Sequence, residues 1–157
     1  MRFSTKQDIE SSLDFAFKYL TDFESWETAA MRRGSEVSRT DKLRQPGPGM
    51  AWAVRFLYRG KPRDLDIKLV RIETPVNLQF NGMSKAIEGD AKMELMELGA
   101  KRTRLHVVME IAPRSLTARL FLQSLRLARA RVDRKFEQRV AQLARDIESR
   151  FRATRVT

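Results

Sequence analysis

Two side chains in the sequence have the chemistry to transfer a proton, Tyr58 and His106. The Tyr58 phenol ends a stripe of alternating apolar residues, where it could orient a ligand carbonyl or donate a proton. His106 is the only histidine, and the alternation places it with Arg104 and Glu110 on the outer face of its strand. A tyrosine at a strand end more often packs its ring and leaves its hydroxyl in water. We therefore assign no catalytic residue and retain Tyr58 as a candidate.

Metal and thiol chemistry find little support in the sequence. The chain has no cysteine, which excludes disulfides, thiolate metal sites and a cysteine nucleophile. One histidine cannot form a histidine-rich metal site, and no carboxylate pattern near it resembles one. We expect neither a metal nor a cofactor.

The positive charge is concentrated near the end of the chain. The formal net charge is +11, and residues 114–157 carry twelve basic against four acidic side chains, a net +8. Five arginines crowd the middle of this region: Arg126, Arg129, Arg131, Arg134 and Arg139. They could bind a ligand carboxylate or phosphate, or they could pair with Asp133 and Glu137 on the same helix.

Composition is typical of a globular protein. The 157 residues are 42% hydrophobic and 32% charged, which predicts one domain over residues 1–157 with a substantial core. No segment approaches the roughly 18 apolar residues of a membrane helix, and the first residues lack a signal-peptide pattern. We expect a cytoplasmic protein that is a monomer or a homodimer.

Apolar spacing predicts an antiparallel sheet preceded by two helices. A short strand over residues 3–9 is followed by helical spacing over residues 13–23 and a second helix that stops at Gly34. From residue 50 to residue 112, apolar and polar residues alternate in segments separated by glycine or proline turns. Residues 70–72 shift the alternation by one position, which predicts a bulge, and residues 81 and 82 predict an interruption.

The chain closes on a long helical pattern. Ser115 is a good N-cap, and no proline or glycine follows it up to about residue 151. Apolar residues recur there in steps of three and four, which predicts one amphipathic helix of about nine turns. The first half is apolar over a wider arc, so we expect it to be the more deeply buried end.

Three segments of the sequence carry a resemblance to a known family. They are residues 20–23 (LTDF) with Trp26, at the end of the opening helix, residues 48–52 (PGMAW), at the entry to the third strand, and residues 73–80 (ETPVNLQF), in a link between strands. At these places the chain resembles the START/Bet v 1-like (SRPBCC) superfamily, including its bacterial polyketide cyclase/dehydrase-like members. The resemblance implies an α+β helix-grip fold, a curved antiparallel sheet of about seven strands in the order β-α-α-β6-α, wrapped around a long C-terminal helix. These segments are fold signatures, and the superfamily hosts many functions.

The resemblance also implies an apolar cavity between the sheet and the C-terminal helix. The residues that we expect to line it are Trp52, Val54, Phe56, Tyr58, Phe80, Met93, Leu105, Val107, Leu122 and Leu125. The small residues Gly82, Gly89 and Ala91 on the inward face would leave room for a ligand. The alternative is that side chains of the helix fill this space and form an ordinary core.

Three functions are compatible with these observations. The first is binding, and possibly transport, of a hydrophobic or amphipathic small molecule such as a lipid or polycyclic aromatic. The second is a polyketide cyclase/dehydrase-type enzyme with Tyr58 as proton donor. The third is binding of nucleic acid or an anionic membrane by the basic C-terminal helix. Nucleic acid is disfavoured because Phe121, Phe136 and Phe151 fall on or near the apolar stripe and are not free to stack on bases.

Overall fold

The computed structural model describes residues 1–155, which form seven strands and four helices. In chain order the elements are β1 (Arg2–Ile9), α1 (Leu13–Leu20), α2 (Phe23–Arg32), β2 (Glu36–Arg39), β3 (Ala51–Tyr58), β4 (Lys61–Glu73), β5 (Asn77–Met83), β6 (Ile87–Gly99), β7 (Arg102–Pro113), α3 (Leu116–Leu127) and α4 (Arg129–Arg155). Within this part of the chain, no helix is both long and apolar enough to span a membrane.

The seven strands form a single antiparallel sheet in the order β1-β7-β6-β5-β4-β3-β2. Strand β1 pairs with β7, so the first and last strands of the series are neighbours, and the four-residue β2 lies at an edge. The predicted α+β helix-grip fold, with a curved sheet and a long C-terminal helix, is confirmed. The predicted bulge is also confirmed, as a register shift between Leu69 and Arg71.

Side-chain caps fix where the helices begin. The Ser12 hydroxyl accepts a hydrogen bond from the Phe15 amide at the start of α1, and Ser115 accepts one from the Ala118 amide at the start of α3. Helix α2 ends before Gly34, whose φ of 94° lies in the left-handed region that glycine adopts without a steric penalty.

The predicted interruption at residues 81 and 82 is wrong. Strand β5 continues through Asn81 and Gly82 because each is paired on both sides, with Lys68 and Ile67 on β4 and with β6. The turn comes later, where the Ser84 hydroxyl accepts hydrogen bonds from the amides of residues 86 and 87.

The C-terminal helical region is two helices and not one. The break is at Ala128, whose φ of −109° and ψ of 25° leave the helical region, while its carbonyl accepts the amides of Arg131 and Val132 in α4. A straight helix over residues 116–155 would be about 60 Å long. The longest strands have 13 residues and span about 43 Å, so such a helix would extend well beyond the sheet.

The expectation that the first half of this region is the more buried end is also wrong. In α3, Leu116, Leu120 and Leu127 are 71%, 59% and 91% exposed. In α4, Val140 and Ile147 belong to the main core with Leu105 of β7 and Leu78 of β5. The longer helix α4, which packs against β1 and α1, therefore anchors the C-terminal region.

This difference in burial predicts a difference in stability. Ile147 is completely buried, so Ile147→Ala should lower the free energy of unfolding by about 2–5 kcal/mol. Leu127→Ala removes an exposed side chain and should change it by less than about 0.5 kcal/mol. Urea unfolding followed by circular dichroism measures both values, and equal losses would contradict the assignment of α4 as the anchor.

A candidate ligand-binding cavity between α2 and the sheet

An apolar cavity of about 260 Å³ lies between the α1–α2 pair and the inner face of the sheet. The helices contribute Leu20, Phe23, Trp26, Glu27 and Ala30, and the strands contribute Val37, Val54, Trp52, Ile67, Phe80 and Met93. No residue of α3 or α4 within the described chain is in this lining. The cavity therefore lies beside the long C-terminal helix and not beneath it, which corrects the position expected from the sequence.

Aromatic rings form the inner wall of this cavity. The Phe23 ring contacts the Trp52 ring at 5.4 Å between centroids and the Phe80 ring at 6.4 Å, with interplanar angles of 56° and 83°. Such tilted and edge-to-face contacts are a preferred geometry for aromatic pairs and fix the Phe23 ring against β3 and β5. Together with the small side chain of Ala30, this arrangement leaves room for another molecule.

Trp26 stands at the rim of the cavity. Its side chain is 41% exposed, and its ring makes an edge contact with Tyr19 at 5.9 Å. On its other side lies a wider groove of about 880 Å³, whose lining includes Lys18, Asp22 and Arg150. This groove has a greater volume than the cavity, but charged side chains line it, and they are better solvated by water than by an apolar ligand.

A polar network holds Trp52 against the cavity wall. The Trp52 indole Nε1 donates a hydrogen bond to Glu27 Oε1 at 2.8 Å, which joins β3 to α2. The Arg39 guanidinium lies over the Trp52 ring, 5.8 Å from its centroid. Asp41 in turn accepts two hydrogen bonds from Arg39, at 2.6 and 2.7 Å.

Asp41 fixes this network to the backbone. Its carboxylate also accepts the amides of Leu43 and Ala51, and its side chain is only 6% exposed. The Arg39 hydrogen bonds, followed by the Ala51 amide, hold the pKa of Asp41 far below its ordinary value. The charged Asp41 carboxylate therefore fixes the loop between β2 and β3. It does so while bound to Arg39, which lies two residues earlier in the chain.

Of the ten residues predicted to line a cavity, the structure brings four together: Trp52, Val54, Phe80 and Met93. Leu105 and Val107 lie in the main core, and Leu122 is buried on the inward face of α3. Phe56 and Leu125 are half-buried outside the lining. Sequence reasoning did not include the residues from α1 and α2, because nothing in their helical spacing indicated which strand they would face.

The two candidate proton-transfer residues lie outside the cavity. Tyr58 is 46% exposed at the end of β3, where the Arg59 guanidinium lies 5.4 Å from its ring centroid. His106 is on the outer face of β7, as the alternation predicts, and its Nε2 is 2.8 Å from the Ser4 hydroxyl. The ionisable group that lines the cavity is Glu27.

The arginine cluster does not reach the cavity either. Arg129 forms an ion pair with Asp133 at 3.0 Å and donates to the backbone carbonyl of Arg2. The five arginines are absent from the cavity lining. Within residues 1–155, no group of three or more His, Asp or Glu side chains is arranged to hold a metal ion.

Comparison with models of protein families identifies the family of this chain. A family model described as polyketide cyclase/dehydrase and lipid transport matches residues 1–148. The chain belongs to this family. No curated protein sequence matches it.

Solved structures similar to this chain support the same fold. The Zhui aromatase/cyclase from Streptomyces sp. R1128 has a TM-score of 0.70 at 12% identity, covering 98% of this chain and 97% of that one. A START superfamily protein from Mycobacterium smegmatis has a TM-score of 0.58 at 11% identity, covering 87% and 97%. Norcoclaurine synthase from Thalictrum flavum, in complex with dopamine and hydroxybenzaldehyde, has a TM-score of 0.61 at 9% identity, covering 80% and 76%.

Family and fold together indicate hydrophobic-ligand binding or a cyclase/dehydrase-type function. At identities this low, the similar structures show a common fold and do not identify a substrate. The ligand must therefore be inferred from the residues that line this chain's own cavity.

The Asp41 network predicts a pH-dependent contribution to stability. Because the pKa of Asp41 is lowered in the folded state, the stabilisation is complete above the ordinary aspartate pKa and is lost as pH falls below it. Asp41→Asn should therefore be less stable than the wild type at neutral pH, and the difference should shrink by about pH 3. Urea midpoints at the two pH values measure this change.

Asp64→Asn is the matched control for that experiment. Asp64 pairs with Arg55 on the exposed surface, where an ion pair contributes little. A difference between wild type and Asp41→Asn that stays constant with pH would contradict the role given to the charged carboxylate.

Proposed function

We propose that this protein binds one small hydrophobic molecule in the cavity between α2 and the sheet, without chemical conversion. The observation that supports this most directly is an open cavity whose lining is apolar except for Glu27. Removing apolar ligand surface from water is favourable, and the space is already formed, so little reorganisation opposes binding.

The size of the cavity limits the ligand. An apolar cavity of about 150 Å³ holds one benzene molecule, and typical ligand pockets begin near 300 Å³. The 260 Å³ found here suits a two-ring aromatic or a medium acyl chain. A longer lipid or a larger polycyclic would have to extend past Trp26 into the adjoining groove, which shares this residue.

Glu27 adds a polar preference. Glu27 lines the cavity, and its carboxylate accepts the Trp52 indole hydrogen bond through one oxygen. A ligand hydroxyl can donate to a carboxylate oxygen, whereas a ligand carboxylate would place two like charges together in an apolar site. We therefore propose that the ligand is neutral and carries a hydrogen-bond donor, such as an alcohol or phenol.

A cyclase/dehydrase-type enzyme is the second candidate, supported by the family and by the same Glu27 carboxylate. In such an enzyme Glu27 would act as the proton acceptor, since Tyr58 lies outside the cavity. Simple binding is better supported because the lining holds no second ionisable group that could act as a separate proton donor. Glu27→Gln would abolish turnover in an enzyme and would retain binding in a carrier.

Intrinsic fluorescence provides a test of binding. The chain has two tryptophans, Trp26 and Trp52, and both line the cavity. We expect the tryptophan emission to change with 1-octanol concentration until it reaches a plateau. Octanoate should bind at least about tenfold more weakly than 1-octanol, a difference of about 1.4 kcal/mol in binding free energy. Calorimetry with 2-naphthol extends the test to aromatic ligands.

A pair of variants locates the site. Ala30→Leu places extra atoms in the cavity and should weaken octanol binding by about tenfold or more. Ala29→Leu makes the same change one residue earlier, on the exposed side of α2, and should bind as the wild type does. The absence of a saturable signal, or equal binding by both variants, would overturn the proposal.

A further inference from the structure

We propose that α3 docks onto an anionic membrane surface through its exposed leucines. This inference goes beyond ligand binding and does not depend on it. It rests on a helix that has two apolar faces, only one of which the protein covers.

The two faces of α3 are on opposite sides of the helix. Ala118 and Leu122 are buried on the inward side, against β7 and α4. Leu116, Leu120 and Leu127 lie on the outward side, within an arc of about 40° at 3.6 residues per turn. Isolated exposed leucines are common on protein surfaces, but here three share one row along a helix of about 18 Å, with the exposed Gln123 between Leu120 and Leu127.

The charge around this strip favours anionic lipids. Residues 114–132 contain five arginines and no acidic residue. Arg119 and Arg126 are exposed and lie on one flank of the leucine row, about 60–80° from Leu116. Their long side chains can reach lipid phosphates while the leucines enter the acyl region, which is how interfacial helices bind.

The β3–β4 hairpin tip adds to the same end of the molecule. The Arg59 guanidinium lies 5.4 Å from the ring centroid of Phe121 in α3, so the tip is next to this helix. The tip also carries Lys61, Arg63 and the 75% exposed Leu57. Two neighbouring elements thus present exposed leucine together with basic side chains.

Other occupants fit this surface less well. In a symmetric dimer formed through the leucine row, Arg119 and Arg126 of both copies would be brought close together, and the row is narrow beside the 1,200–2,000 Å² that stable interfaces commonly bury. Nucleic acid would satisfy the arginines, but phosphate and sugar contacts would leave the three leucines in water. A surface with both acyl chains and phosphates matches both features.

Vesicle cosedimentation of the full chain tests the proposal. We expect the wild type to bind vesicles of equal parts phosphatidylcholine and phosphatidylglycerol, and to bind phosphatidylcholine vesicles at least about tenfold more weakly. Leu120→Ser with Leu127→Ser should reduce binding to the anionic vesicles by about tenfold or more. Arg119→Gln with Arg126→Gln should also weaken it, and added salt should weaken the wild type.

Met96→Ser is the matched control and should leave vesicle binding unchanged, since Met96 is exposed and pairs with Arg104 near the β6–β7 turn, at the end of β7 opposite to α3. The leucine positions are exposed, so circular dichroism of the double variant should match that of the wild type. Wild-type protein that stays in the supernatant, or a leucine variant that sediments like the wild type, would overturn the proposal. A wild-type dimer that the leucine substitutions dissociate, without vesicle binding, would assign the surface to a second copy instead.

Discussion

The structure depends on how much of a wide sheet one helix can cover. Seven strands spaced by about 4.8 Å make a sheet about 29 Å across, whereas a helix with its side chains is about 10 Å wide. Helix α4 packs on β1 and so covers only one side of the inner face. The part of the apolar surface of β3, β4 and β5 that lies away from α4 must be covered by something else, and α1 and α2 do this only in part. The cavity is the region that neither set of helices fills.

The polar network around Trp52 follows from the same geometry. A tryptophan on the wall of an incompletely covered core needs a partner for its indole N–H, and Glu27 is the partner that α2 supplies. Arg39 and Asp41 then hold the other side of the ring through an ion pair and two backbone amides. These contacts connect α2, β2 and β3, whose helix–strand packing is otherwise slight, and they keep the cavity wall in one arrangement.

Much of the fold could be predicted because its signals are local. Alternation with a period of two identified the strands, serine caps identified helix starts, and the phase shift near residue 70 identified the bulge. The cavity was only partly predictable. Trp52, Val54, Phe80 and Met93 share the inward phase of their strands, but Leu105 and Val107 share it too and are buried outside the cavity lining. Which inward residues are covered depends on tertiary packing, as does the contact between Glu27 and Trp52, 25 residues apart.

The break at Ala128 had no sequence signal because alanine is the best helix former. The break accompanies a change in packing, because α4 packs on β1 whereas α3 contacts β7 and α4. Apolar spacing around a wide arc ordinarily predicts deep burial, because a globular core is the usual way to cover such an arc. Here Ala118 and Leu122 are buried against β7 and α4, whereas Leu116, Leu120 and Leu127 are exposed. An exposed leucine row flanked by Arg119 and Arg126, in a segment without acidic residues from residue 114 to residue 132, is what the proposed docking on an anionic membrane surface would explain.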